Sequence, residues 1–213
     1  MTRSMIIQPQ DISDIEQEAL TDGRLNVLPH AFWSQFTPDQ IRFFCWKNGC
    51  YSIPTVELVN WLNERIAGKK TIEIGAGNGV LAKALDIGAV DNYQQQMAKY
   101  KLFYLNTNQP IIRYGKNVAK IGANEAVEYE KPEVVIGSWI TERYDPAYHR
   151  YGGNEIGPRQ LEIIDQVDTY YLIGNTDIHH NPKLMNLKPK IHRIPLISRA
   201  FDPHKNVIFE FSK

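Results

Sequence analysis

Three glycines in alternation, Gly75, Gly77 and Gly79, follow the short run TIEI in the stretch TIEIGAGNGVLAKAL. Glycines between a strand and a helix let the backbone approach a ligand closely. Such a turn could hold a dinucleotide, a nucleoside triphosphate or another adenosine-containing cofactor. The dinucleotide fingerprint needs a glycine at position 80, where Val80 stands, and no P-loop Gly-Lys-Ser or Gly-Lys-Thr occurs. The spacing therefore disfavours the first two ligands.

Two carboxylates flank the glycine turn. Glu73 stands two residues before the first glycine, where a carboxylate repels a pyrophosphate and attracts an ammonium or sulfonium group. Asp91 ends the run GAVD eighteen residues later, where a carboxylate can accept hydrogen bonds from both hydroxyls of a ribose. The pair predicts a cationic cofactor that carries a ribose. Simpler explanations are that the glycines only form a tight turn and that Asp91 caps the next helix.

The stretch EIGAGNG, Glu73 to Gly79, resembles motif I of the class I S-adenosylmethionine-dependent methyltransferases, in which an acid precedes glycines in alternation. Asp91 matches the ribose-binding acid of that superfamily, and the resemblance covers roughly Lys69 to Lys213. It implies a Rossmann-like seven-stranded sheet with an antiparallel last strand, and S-adenosylmethionine as cofactor. The segments QPIIRYGKNVAKIGANEAVEYEKPEVVIGSWITERYDP and YYLIGNTDIHH resemble a phage-associated branch for which no substrate is implied.

The resemblance assigns residues to parts of the cofactor. Asp91 would bind the ribose, and Asn92 and Tyr93 stand where the superfamily often contacts adenine. The methionine part would be lined by the glycine turn and its acid: Glu73, Gly75, Ala76, Gly77 and Gly79.

The adenine site departs from the pattern of the superfamily. Many relatives have an acid before an alanine, whereas this chain has Gly122 before Ala123, with Asn124 as the candidate substitute. The run EVVIGSWI would end over the transferred methyl group, so Ser138 and Trp139 are candidates for the wall of the site. Trp139 could equally belong to the core.

A general base helps methyl transfer where the acceptor is an oxygen or a protonated nitrogen. Tyr144 lies in the loop from Glu142 to Pro158, and Asp177 and His179 follow the apolar run DTYYLIG. In an extended segment Asp177 and His179 would share a face. The alternative to a role as general base is that all three are solvated loop residues or helix caps. No HExxH or CxxC spacing supports a metal site, so no metal is expected.

Apolar runs alternate with helical patterns from Thr71 onward, which predicts an α/β fold with a mostly parallel sheet and helices on both faces. The last two runs, IHRIPLIS and NVIFEF, are joined by RAFDPHK, which has no room for a helix. These two runs should form an antiparallel hairpin at the C-terminus.

Residues 1–68 have helical patterns and form a predicted N-terminal helical extension that packs on the core. Thr37 and Pro38 have the types of an N-cap and a first helical residue, and Pro54 opens a second helix. Residues 69–213 form the methyltransferase-like α/β domain, and the two parts are expected to make one compact unit.

The 24 Lys and Arg residues balance the 24 Asp and Glu residues, so the net charge is zero. A neutral chain lacks the broad positive surface that neutralises many phosphates, and GSWI lacks the Asn/Asp-Pro-Pro-Tyr/Trp signature of adenine amino-methylating enzymes. The expected acceptor is therefore a small molecule or a protein side chain, and nucleic acid is not expected. The sequence does not predict the oligomeric state.

No export signal or uncharged run of roughly 18 residues is present, so the sequence predicts a cytoplasmic protein without membrane contact. Cys45 and Cys50 could form a disulfide, but a lone pair in a cytosolic chain is more often reduced. Two alternatives to methyl transfer stay open. One is a non-catalytic module that binds the cofactor within an assembly, and the other is an oxidoreductase, against which Val80 argues.

Overall fold

The structure is a computed structural model that describes residues 7–213. Eleven strands occur in these residues: β1 Leu20–Thr21, β2 Arg24–Leu25, β3 Ser52–Ile53, β4 Thr71–Ile74, β5 Gly88–Asp91, β6 Ala119–Lys120, β7 Val134–Ser138, β8 Thr169–Asn175, β9 Lys190–His192, β10 Ile197–Ser198 and β11 Asn206–Ser212. The same residues contain nine α-helices: α1 Ser13–Ala19, α2 His30–Trp33, α3 Pro38–Lys47, α4 Val56–Ile66, α5 Val80–Leu85, α6 Ala98–Asn106, α7 Ala123–Glu130, α8 Gln160–Ile164 and α9 Pro182–Met185.

Seven of the strands form one sheet in the order β6-β5-β4-β7-β8-β11-β9. The pairs from β6 to β8 are parallel, whereas β11 runs antiparallel to both β8 and β9. The predicted α/β architecture, a mostly parallel sheet with an antiparallel C-terminal hairpin, is confirmed. Because the chain enters every parallel strand from the same side, the loops after β4, β5, β6, β7 and β8 meet at one edge.

Helices cover both faces of the sheet, because successive side chains of a strand point to opposite faces. Tyr171 of β8 belongs to the same buried cluster as Leu62 of α4. Its neighbour Leu172 belongs to the cluster of the other face, which includes Ile163 of α8. Strand β8 is buried along its whole length, as expected for a strand between two helical layers.

The N-terminal residues form their own buried cluster, in which Trp33 and Phe44 pack with Ile53 and Ile197. The two strands β3 and β10 pair antiparallel and join this cluster to the C-terminal part of the chain. Cys45 and Cys50 are buried there as free thiols. No helix within residues 7–213 is long and apolar enough to cross a membrane.

The predicted start of α3 is confirmed, because Thr37 accepts a hydrogen bond from the Gln40 N–H and Pro38 is the first helical residue. Helix α4 begins later than predicted. Its N-cap is Thr55, which accepts from the Leu58 N–H, so the helix starts at Val56 rather than at Pro54.

Two of the predicted elements need correction, and one short strand has no predicted counterpart. The predicted strand IHRIPLIS is split, because only β9 joins the large sheet while β10 pairs with β3. Strand β6 has only two residues and was not predicted. The pattern of NYQQQMAKYKLFYL, residues 92–105, predicts one helix, but a 3-10 turn at Gln94–Gln96 precedes the extended Met97 and α6.

Candidate functional site

The glycine turn connects β4 to α5 in a left-handed backbone conformation. Gly75, Gly77 and Gly79 have φ angles of 61°, 53° and 68°. A Cβ atom on Gly75 would lie 2.5 Å from Cγ2 of Ile140, and one on Gly79 would lie 2.7 Å from Oδ1 of Asn117. Both positions therefore require glycine, for space as well as for backbone conformation.

Glu73, which the sequence predicts to attract a cationic group, is buried beside this turn rather than open to solvent. Its Oε2 accepts a hydrogen bond of 2.9 Å from the N–H of Ala82 in the first turn of α5. Burial raises the pKa of Glu73 to about 8, with a smaller upward contribution from the charge of Asp91, so the carboxyl is largely protonated at neutral pH. It lines a small cavity of about 60 Å³ together with Ser52 and Asn78.

Asp91, at the end of β5, is hydrogen-bonded to the glycine turn. Its Oδ2 accepts from the Gly77 N–H at 3.1 Å, and its Oδ1 accepts from the Tyr93 N–H at 2.8 Å. Burial raises the pKa of Asp91, although both backbone hydrogen bonds lower it. Each carboxylate oxygen has two acceptor positions, so both retain capacity for a ligand hydroxyl.

Asp91 also lines a cavity of about 660 Å³ at the carboxyl edge of the sheet. Gly75 contributes to this cavity and to the small one beside Glu73, and Ser138 does the same. The lining comes from the ends of the strands and the following loops: Asp91, Asn92, Gly122, Ala123, Asn124, Glu125, Ser138, Trp139, Ile140, Thr141, Asn154, Ile156 and Pro158 among others. Of the predicted cofactor residues, Gly75, Asp91, Asn92 and Asn124 line this cavity, whereas Glu73, Ala76 and Gly77 line only the small one. Gly79 and Tyr93 line neither cavity, and the Tyr93 hydroxyl donates to the Val118 carbonyl at 2.8 Å.

Asn92 and Asn124 face the cavity, but their amides already make hydrogen bonds. Asn92 Nδ2 donates to the Ile156 carbonyl at 3.1 Å. Asn124 donates to the Arg159 carbonyl and accepts from the Arg159 N–H, at 3.1 and 3.0 Å. Both residues therefore anchor the segment 154–159 against the cavity wall.

Ser138 and Trp139 form the end of β7 over the cavity. The Ser138 hydroxyl lies 2.8 Å from the Ser52 hydroxyl, which links the wall to the N-terminal part of the chain. Trp139 has a φ of 58°, and its N–H donates to the Ile173 carbonyl at 2.9 Å. A left-handed backbone in a residue other than glycine costs about 1–3 kcal/mol and is typical of functional sites.

The three candidate general bases lie outside the lining of this cavity. The Tyr144 hydroxyl is 2.9 Å from Nδ1 of His149, and Asp177 forms an ion pair with Lys205 at 2.8 Å. His179 Nδ1 accepts from the Asn175 N–H at 3.0 Å, and burial lowers the pKa of His179 to about 4. The prediction that Asp177 and His179 share a face is wrong, since residues 176–178 form a turn rather than an extended segment.

Sequence reasoning missed a group of residues that we term the tyrosine cluster: Tyr51, Gln95, Tyr104 and Tyr114, all lining the large cavity. The Tyr51 and Tyr104 hydroxyls are 3.3 Å apart, and Gln95 Nε2 donates to Tyr104 at 3.2 Å. The Gln95 N–H donates to the Tyr114 hydroxyl at 3.3 Å. Burial raises the pKa of Tyr104 and Tyr114, so these phenols stay neutral. No local pattern links residues so far apart in sequence.

No group of three or more His, Cys, Asp or Glu side chains within residues 7–213 has an arrangement that could hold a metal ion.

Comparison with known proteins finds no matching family model and no matching curated protein. Among solved structures, Thermoplasma acidophilum protein 1320 is 16% identical over 72% of this chain and 83% of that chain, with a TM-score of 0.35. The Pyrococcus abyssi tRNA (uracil-54, C5)-methyltransferase, solved with S-adenosyl-L-homocysteine, is 14% identical over 73% of this chain, with a TM-score of 0.35. The match spans 37% of that methyltransferase. This distant likeness carries no argument about activity.

Proposed function

We propose that the chain binds S-adenosylmethionine in the 660 Å³ cavity and transfers its methyl group to an acceptor. The observation that carries the proposal is the position of Asp91. Its carboxylate lines the cavity while it is held by the N–H groups of Gly77 and Tyr93. A carboxylate fixed in this way can accept hydrogen bonds from the two hydroxyls of a ribose.

The other residues of the cavity fit the remaining parts of this cofactor. Gly122, Ala123 and Asn124 offer a backbone and short side chains to a flat adenine ring, and Asn92 lies beside Asp91. The glycine turn offers its backbone to the methionine part. Glu73, which lies next to this turn, is a buried carboxyl that a nearby ammonium or sulfonium would return to its charged form.

The transfer itself needs alignment more than acid–base chemistry. When bound, S-adenosylmethionine would supply a methyl group activated by the sulfonium charge: an electron pair of the acceptor would attack the methyl carbon, the carbon–sulfur bond would break, S-adenosylhomocysteine would leave and the acceptor would lose a proton to solvent. Ser138, Trp139 and Ile140 form the wall at the end of β7 and would exclude water from the reacting atoms.

Calorimetric titration tests the proposal. S-adenosylmethionine and S-adenosylhomocysteine should each bind saturably to the wild type, NAD should not, and Asp91→Ala should lose binding of both. Asp165→Ala is the matched control, because Asp165 is exposed and makes no side-chain hydrogen bond among the described residues. Absence of binding to the wild type, or equal binding by the two variants, would refute the proposal.

A second candidate is a module that binds the cofactor without transferring its methyl group. It is favoured by one observation, that Tyr144, Asp177 and His179 do not line the cavity. The two candidates differ in turnover: release of S-adenosylhomocysteine with a competent acceptor supports the enzyme, whereas cofactor binding without turnover on any acceptor class supports the module.

A further inference from the structure

The charge of the chain is unevenly distributed, although the total is zero. Residues 92–124, here termed the basic segment, contain five Lys or Arg residues and no Asp or Glu. The rest of the chain therefore has 19 basic against 24 acidic residues. The net charge averages over these two parts, whereas a partner that binds one of them experiences the local electrostatic field of that part.

The basic segment surrounds one side of the proposed active site. It begins with Asn92 in the cavity lining, contributes Ile112 and Tyr114 to the wall, and ends with Asn124 in the lining again. Between these points it forms α6 and the short edge strand β6. Lys120 therefore stands on the edge strand of the sheet, and Arg113 and Lys116 stand one and two residues from the lining residue Tyr114.

The charges of this segment are available to a partner. Lys101, Arg113, Lys116 and Lys120 are exposed, and none of them has an ion pair within 4 Å among residues 7–213. Lys99 pairs with Glu155, but both side chains are more than half exposed, so this pair is weak.

Aromatic and apolar side chains are interleaved with these cations. Helix α6 has no buried residue, and Phe103 on it is 60% exposed. Phe103, Lys99 and Tyr100 line a second opening of about 430 Å³. Tyr104 lines both this opening and the large cavity, so the two are adjacent. Proteins that bind single-stranded nucleic acids use this combination: the exposed rings stack on the bases, and the cations contact the phosphates.

The tyrosine cluster suits the same kind of partner. Tyr51, Tyr104 and Tyr114 offer ring faces, and their hydroxyls with the Gln95 amide offer neutral donors and acceptors. A planar ring with hydrogen-bonding edges matches this lining, whereas a positively charged side chain would be repelled by the basic segment.

We propose that the methyl acceptor is a base of a single-stranded nucleic acid, whose phosphates lie along the basic segment while the base enters the cavity at the tyrosine cluster. This inference rests on the proposed function and names its substrate class. It departs from the expectation of a small molecule or protein side chain, because the net charge averages over the basic segment and the missing signature concerns only methylation of the adenine amino group.

Fluorescence anisotropy with labelled DNA and RNA single strands of about 12 nucleotides tests the inference. The affinity is measured between about 0.05 and 0.2 M salt. The test variant is the triple substitution Lys101→Ala, Lys116→Ala and Lys120→Ala. The matched control, Lys69→Ala, Lys190→Ala and Lys213→Ala, removes the same charge from exposed lysines away from β6.

The wild type should bind single strands with an affinity that falls as salt rises. The test variant should bind at least tenfold more weakly at the lowest salt. The slope of log affinity against log salt should fall by about 2, since each phosphate contact of a single strand contributes about 0.7. The control should match the wild type. Comparison of the DNA with the RNA strand then identifies which of the two is preferred.

Phe103→Ala separates stacking from charge. Because Phe103 is exposed, its loss should leave the fold intact. The affinity should fall between about fivefold and a hundredfold, as for other stacking rings, while the salt slope stays unchanged.

Either of two results overturns the inference. One is that the affinity of the wild type for the single strands is no higher than its affinity for a polyglutamate peptide at the same salt, and the other is that the two triple variants bind the single strands with equal affinity. Tight binding of polyglutamate would point to an acidic protein as partner. Titration of S-adenosylmethionine into the same preparation separates the two proposals: cofactor binding without nucleic acid binding refutes only this inference, whereas absent cofactor binding refutes the proposed function.

Discussion

The Asp91 carboxylate accepts a hydrogen bond from the backbone N–H of Gly77 at 3.1 Å. This bond ties the end of β5 to the glycine turn after β4, so the two predicted parts of the cofactor site are one hydrogen-bonded unit. A substitution on either side should therefore disturb both, which makes the site sensitive to small changes in the turn.

Gly75→Ala should destabilise the protein and abolish cofactor binding. The new Cβ would meet Ile140 at 2.5 Å, and the left-handed backbone adds about 1 kcal/mol of strain. Gly68→Ala is the control, because its φ of 74° imposes the same strain with nothing within 4 Å of the Cβ. Urea denaturation should show a larger loss for Gly75→Ala than for Gly68→Ala, and equal losses would contradict the contact with Ile140.

Glu73 should make the stability of the protein fall between about pH 4.5 and 8. Burial raises its pKa from 4.5 to about 8, so the folded state holds a proton that the unfolded state releases in this window. The linked free energy of unfolding then decreases with rising pH, by at most about 1.4 kcal/mol per pH unit.

Urea denaturation of the wild type, Glu73→Gln and Glu128→Gln from pH 5 to 8 measures this effect. Glu128 is exposed on α7 and serves as the control. Only Glu73→Gln should lose part of the pH dependence of the wild type. If it keeps that dependence in full, Glu73 is ionised in the folded protein.

His179 should stay neutral from pH 5 to 8. Burial is the main cause that lowers its pKa from 6.5 to about 4, and its Nδ1 accepts from the Asn175 N–H. The folded state binds this proton less readily than the unfolded state, so the contribution of His179 to stability is present above pH 6.5 and is lost as pH falls through 4. A histidine NMR titration should show no inflection for His179 above pH 5, and a midpoint near 6.5 would contradict its burial.

Much of the fold could be predicted because its signals are local. The alternation of apolar runs and helical patterns gave the parallel sheet, and Thr37 with Pro38 gave the start of α3. Strand β9 ends at His192, and the chain then leaves the sheet to pair Ile197 with Ile53 of β3. This pairing joins residues far apart in sequence, so no local pattern predicts that IHRIPLIS divides into two strands.

The site was predictable only where its residues lie close in sequence. The glycine turn and Asp91 belong to one strand-turn-helix-strand unit, which a motif can describe. The tyrosine cluster brings together Tyr51 and Tyr114 from separate parts of the chain, which only tertiary packing reveals. His179 was misjudged because Asn175 Oδ1 accepts from the Asp177 N–H and closes a turn directly after β8.

We propose that Asp91 and the glycine turn hold the cofactor, and the backbone amide of Gly77, which donates to Asp91, would report binding directly. Its NMR resonance should be followed while S-adenosylhomocysteine is added to the wild type. If this proposal is right, the Gly77 and Tyr93 amides both shift saturably in the wild type, and neither shifts in Asp91→Ala. Binding of S-adenosylhomocysteine that leaves both amides unchanged, or no binding at all, would contradict it.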